Sequence, residues 1–111
     1  AYNDCLDLSF GHYEMKNIDL TNCGDKGLSV GERSSLILDK ITVDKADTGI
    51  AVKDSSNATI EYLDIKNSVK CINLYRKKQE FSGAIANLKF INCHDGKIEQ
   101  QAGSFINRNT L

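Results

Sequence analysis

A chain of 111 residues with 41% hydrophobic and 26% charged content has room for one small domain and a modest core. Its 14 basic and 15 acidic side chains leave a net charge of −1, which speaks against a nucleic-acid partner, since that would need a basic excess. No apolar run approaches the roughly 20 residues of a helical membrane span. Proline is absent, and Gly, Asn and Asp supply the turn chemistry, a balance that suits many short strands better than helices.

In chain order, four segments share one alternation: Leu6-Asp7-Leu8, Leu28-Ser29-Val30, Ile50-Ala51-Val52 and Ile72-Asn73-Leu74. Their first residues are each 22 apart (28 − 6, 50 − 28, 72 − 50). Gly27-Leu28-Ser29-Val30-Gly31-Glu32 is echoed by Gly49-Ile50-Ala51-Val52-Lys53-Asp54. A fixed period of this size means that one supersecondary unit is stacked, because it cannot bury its apolar face alone. A second apolar set follows each segment: Met15, Ile18 and Leu20; Leu38, Ile41 and Val43; Ile60, Leu63 and Ile65; Ile85, Leu88 and Phe90. The three-residue step reads as a corner between two short strands and the two-residue step as a strand.

Each repeat is therefore a strand, a turn, two short strands with a bend between them, and a return. Stacked in register, the repeats give core columns: Leu6, Leu28, Ile50, Ile72; Leu8, Val30, Val52, Leu74; Ile18, Ile41, Leu63, Leu88; and Leu20, Val43, Ile65, Phe90. A fifth turn begins at Ile98 and decays through Gln100, Gln101 and Ala102. The expected fold is all-β, a right-handed parallel β-helix of four to five coils with about 22 residues per coil, as a single domain over 1–111 that is a fragment of a longer chain.

The repeat, with Asn22, Asn67 and Asn92 after the third strand, resembles the right-handed parallel β-helix family of pectate lyases and other polysaccharide-active proteins over roughly residues 3–100. In that family such asparagines can stack into an amide ladder, which Lys45 interrupts here. More narrowly, Asp4-Cys5-Leu6-Asp7-Leu8-Ser9, the stretch Gly24–Glu32, Gly49–Asp54 and Tyr75-Arg76-Lys77-Lys78 resemble the β-helix module found beside spore-coat-type kinase domains in bacterial surface proteins. No kinase motif is present, so that activity is not implied.

Candidate chemistry gathers at the corner after the first strand. Phe10, Glu32, Asp54 and Arg76 form one column beside Ser9, Gly31, Lys53 and Tyr75. One strand spacing, about 4.8 Å, would hold Glu32 near Asp54 and Asp54 near Arg76. Two carboxylates about 5 Å apart suit a retaining glycosidase. With Lys53 and Arg76 they could instead act on a uronate sugar or hold Ca²⁺, the one cofactor considered; no other cofactor is expected. The bland alternative is a solvated charge ladder.

From Leu74 to Ile85 is 11 residues (85 − 74), against 8 from Val52 to Ile60 (60 − 52), an excess of about three within Arg76–Phe81. Insertions in solenoids map to loops on a binding face, and Tyr75, Lys77 and Lys78 could grip an acidic polysaccharide there. Cys5, Cys23, Cys71 and Cys93 read as buried thiols, with Cys5–Cys23 or Cys71–Cys93 meeting across one corner as the alternative. His12 and His94 read as solvated turn residues.

The expected function is a non-catalytic β-helix module of an extracellular or cell-surface protein, carbohydrate-associated or structural. Its partners would be polysaccharide and neighbouring domains of the parent chain. Two alternatives stand beside it: a catalytic fragment of a polysaccharide lyase or glycosidase acting on acidic polysaccharide, and a protein-interaction solenoid with open strand edges.

Overall fold

The computed structural model describes residues 4–76 and 81–108. These hold ten strands and no helix: β1 (Leu6–Ser9), β2 (His12–Thr21), β3 (Lys26–Gly31), β4 (Ser35–Asp44), β5 (Thr48–Lys53), β6 (Asn57–Lys66), β7 (Lys70–Tyr75), β8 (Ile85–Cys93), β9 (Lys97–Gln100) and β10 (Phe105–Arg108). The odd strands form one sheet in the order β1-β3-β5-β7-β9, and the even strands a second in the order β10-β8-β6-β4-β2. Each pairing is parallel. The chain is thus a parallel β-helix of about 4 turns with a spacing of about 22 residues.

Parallel pairing satisfies the backbone groups from one coil to the next and fixes the register along the whole axis. Leu6, Leu28, Ile50 and Ile72 stand opposite one another in succession, as do Leu8, Val30, Val52 and Leu74. Leu28, Val30, Ile50, Val52, Ile72 and Leu74 are buried in the core. Each long strand is continuous where two short strands were expected. In β4, Leu38 and Ile41 point inward while Asp39 and Lys40 are both exposed, and Glu61 with Tyr62 repeats this in β6. Two successive outward residues break the alternation, and this is the bend.

The fourth coil departs from the sequence expectation. Its columns are Met15, Leu38, Ile60, Leu88; Ile18, Ile41, Leu63, Ile91; and Leu20, Val43, Ile65, Cys93. Phe90 stands against Tyr62 on the outside instead of in the core. The cause is the size of the insertion. Ile60 and Leu88 are paired partners 28 residues apart (88 − 60), whereas Val52 and Leu74 are 22 apart (74 − 52), so the coil gains six residues and not three. Underestimating it shifted the expected pattern by three positions.

The cysteines are not free thiols: Cys5 is bonded to Cys23 and Cys71 to Cys93, with Cα atoms 5.4 and 6.0 Å apart. The columns explain the second pair. Gly27 and Gly49 occupy, in the coils before it, the place of Cys71. A Cβ on Gly27 would lie 2.9 Å from Val43 Cγ1, and one on Gly49 would lie 2.7 Å from Ile65 Cγ2. In the fourth coil Cys71 replaces the glycine and Cys93 replaces the aliphatic partner, so two columns already in contact across the interior present two sulfurs to each other.

Left-handed backbone residues turn both corners: Phe10, Glu32 and Asp54 (φ 47°, 53° and 52°) after the short strands, and Asn22, Lys45 and Asn67 (φ 56°, 68° and 55°) after the long ones. Asn22 and Asn67 thus hold turn positions that suit asparagine. Asn92 does not join them, for it pairs with Asp64 within the sheet, and the Asn67 amide donates to Asp44 Oδ1 at 2.7 Å. An amide ladder runs elsewhere, on the outer face of the long strands, where Asn107 Nδ2 donates to Asn87 Oδ1 at 2.9 Å. Buried serines close the corners from inside. The N–H groups of Ser34, Ala46 and Ala84 donate to Ser56, Ser68 and Ser104 Oγ at 3.0, 3.3 and 2.9 Å, which supplies acceptors that the turning backbone lacks.

Replacing Cys71 and Cys93 together by Ala should lower the unfolding free energy by about 2–5 kcal/mol. Cys71→Gly with Cys93→Ile, which restores the Gly49–Ile65 packing, should recover at least about 1 kcal/mol of that loss in denaturant titrations. Equal midpoints for the two variants would contradict the column assignment.

Candidate functional site

At the end of the short strands, Ser9 stands opposite Gly31 and Lys53 opposite Tyr75. The next residues continue the pairing: the Phe10 N–H donates to Glu32 O at 3.0 Å, Arg33 N–H to Asp54 O at 2.9 Å and Asp54 N–H to Tyr75 O at 3.2 Å. The backbone therefore gathers Glu32, Asp54 and Arg76 at one corner, as the spacing implied. Their side chains do not share one environment. Asp54 is fully buried, Glu32, Lys53 and Tyr75 are half-buried, and Arg76 is exposed. The Lys53 stem lies over Gly31, where an added Cβ would come within 2.7 Å of Lys53 Cε, so this glycine admits a lysine laid flat on the sheet. Arg76 is fixed through its backbone, whose N–H donates to Gln101 Oε1 at 2.7 Å. Lys77 and Lys78 lie outside the described residues.

Ser29 and Ala51 are fully buried although they alternate with the core residues Leu28, Val30, Ile50 and Val52. They stand on the outer face of the short-strand sheet, so that face is covered over its middle coils, while an open pocket lined by Asn73, Tyr75, Glu99 and Gln101 remains over β7 and β9. Among the described residues, no group of three or more His, Cys, Asp or Glu side chains could hold a metal ion. Glu32 and Asp54 would have to bind Ca²⁺ without a third such ligand.

A further charged network lies at the start of the short strands. Lys26 Nζ lies 2.8 Å from Asp25 Oδ2 and 3.7 Å from Asp4 Oδ1, and the Lys26 N–H donates to Asp4 Oδ1 at 3.2 Å. Burial opposes the Lys26 ammonium, but the bond to Asp25 and the nearby Tyr75 and Asp4 hold its pKa above the ordinary value. Burial likewise pushes the Tyr75 phenol up; Asp25, Asp4 and Asp54 add to this and Lys26 opposes it. The available signal was the 22-residue step from Asp4 to Lys26 (26 − 4), at the start of the strands instead of their ends. His94 is exposed at a bend, with its Nε2 2.7 Å from Asp64 Oδ1, whereas His12 lies in strand β2 and not in a turn, its Nδ1 3.3 Å from Ser35 Oγ.

No protein-family model, curated protein or solved structure matches this chain. The class that fold and corner define is a parallel β-solenoid closed by two disulfides.

The raised pKa values of Tyr75 and Lys26 carry a sign. Both groups hold their protons more tightly folded than unfolded, so their contribution is complete below about pH 10 and is lost as pH rises through the folded values. Tyr75→Phe should therefore reduce the loss of stability above about pH 10, read from urea midpoints. An alkaline loss as large as that of the unaltered protein would contradict the coupling.

Proposed function

We propose that the protein is a non-catalytic parallel β-helix module of an extracellular or cell-surface protein, structural in architecture and carbohydrate-associated in role. The observation that carries the non-catalytic reading is the division of the corner cluster by burial. A retaining glycosidase needs two carboxylates that both reach the sugar, and a lyase needs a base and a charge-neutralising group on the same open face. Asp54 is sealed inside while Arg76 faces solvent. The two disulfides support a location outside the reducing cytosol, because such bonds persist in oxidising compartments. The resemblance to polysaccharide-active β-helices and to the β-helix module of bacterial surface proteins supports the carbohydrate association. It rests on the 22-residue repeat and the parallel coils.

Incubation with polygalacturonate and alginate, followed by assays for new reducing ends and for unsaturated uronate product, should show no cleavage above a protein-free control. Cleavage that disappears in Glu32→Gln and Asp54→Asn variants with unchanged circular dichroism would overturn the non-catalytic reading and establish the catalytic fragment in its place.

A further inference from the structure

The outer face of the long-strand sheet carries exposed side chains in successive coils. A groove of about 290 Å³ crosses β4, β6 and β8 over the backbone of Leu38, Ile60 and Leu88, whose side chains point into the core. Its rim is mixed: the exposed Ile37 lies with Thr59 and Asn87 on one side, and Asp39, Glu61 and Lys89 stand at the bend. Just beyond, Tyr62 and Phe90 sit in successive coils with ring centroids 6.3 Å apart and planes tilted by 41°. They are 39% and 52% exposed.

We infer that this groove and its aromatic ridge form a binding site for a neutral glycan, separate from the corner cluster. The inference rests on the carbohydrate-associated reading above and gives it a place and a ligand class. Charge is the first argument. Register places Lys16, Asp39, Glu61 and Lys89 in one column of two cations and two anions, which favours neither a polyanion nor a polycation. Lys89 Nζ is 4.0 Å from Glu61 Oε1, while Asp39 has no hydrogen bond or ion pair among the described residues and keeps its acceptor capacity for ligand hydroxyls. Asn87 is held in place from both sides, accepting from Asn107 at 2.9 Å and donating to Thr59 Oγ1 at 3.4 Å.

The ridge is the second argument. Two exposed neighbouring aromatic rings offer an apolar surface angled by 41°, with the ammonium groups of Lys40 and Lys89 5.4 and 5.5 Å from the Tyr62 and Phe90 centroids. A pyranose has both required faces, a C–H face for the rings and a hydroxyl rim for Asp39, Glu61 and Thr59. The groove is near the lower end of the roughly 300–1,000 Å³ of small-molecule sites, a size suited to one or two sugar rings. An extended peptide is disfavoured because the backbone groups of β4 and β6 are already paired with strands on both sides, leaving no edge for strand addition in the groove.

The test is calorimetric titration with soluble cello- and chito-oligosaccharides, with oligogalacturonate as the acidic comparison. Neutral ligands should bind, and Tyr62→Ala with Phe90→Ala should weaken that binding by about tenfold or more, as expected for loss of about 1.4 kcal/mol of stacking. Asp39→Asn should weaken it while leaving the thermal midpoint unchanged, and Phe90→Tyr should retain it. Neutral-glycan binding that these variants leave intact would overturn this site but keep the carbohydrate reading. Preference for oligogalacturonate would overturn the ligand class. Absence of binding to every glycan would overturn both, and self-association abolished by the Tyr62 and Phe90 variants would reassign the ridge to contact between copies.

Discussion

The constraint on which everything else depends is parallel, in-register pairing between coils. Once Leu28 is opposite Ile50 and Ile50 opposite Ile72, each residue of a coil has its environment set by the residues one period before and after it. The core is then a set of columns and not a cluster of independent contacts, and a position must suit its neighbours along the axis as well as across it. Gly27 and Gly49 show the second requirement, since Val43 and Ile65 fill the space a side chain would take. Cys71 and Cys93 meet the same requirement with a bond.

Rung spacing also organises the surface. Residues at one position of successive coils lie close enough to interact, so outward positions form ladders of charge, amide or aromatic rings. The two sheets use this differently. On the short-strand sheet, small residues such as Ser29 and Ala51 are covered, and the Lys26–Asp25–Asp4 network lies near Tyr75. On the long-strand sheet the bend turns two consecutive side chains outward in each coil. That geometry places a charged residue and a ring or lysine next to each other: Asp39 with Lys40, Glu61 with Tyr62, Lys89 with Phe90.

Much of the fold was legible because the period is strict where it matters. The spacing of Leu6, Leu28, Ile50 and Ile72 yields the short-strand sheet without further information, and the backbone of the Glu32–Asp54–Arg76 corner follows from it. The burial of Asp54 was not legible, because the direction of its side chain depends on the left-handed turn it occupies (φ 52°), and simple alternation does not extend through such a turn. The Cys71–Cys93 pairing stood only as the alternative to free thiols, and the outward position of Phe90 was obscured by the length of the insertion after Arg76. Aligning Cys93 with Ile65 favours the pairing and corrects Phe90 together, since it places sulfur opposite sulfur and moves Phe90 onto Tyr62. The groove was not legible because the residues that line it, Ile37, Thr59 and Asn87 beside Asp39, Glu61 and Lys89, look like ordinary outward positions in the sequence.

The most direct test is methyl nuclear Overhauser spectroscopy on the Leu28, Ile50 and Ile72 side chains. Cross-peaks linking Leu28 to Ile50 and Ile50 to Ile72, each 22 residues apart, are the expected result. Methyl groups of these three residues that instead report separate neighbourhoods would contradict the stacked coil.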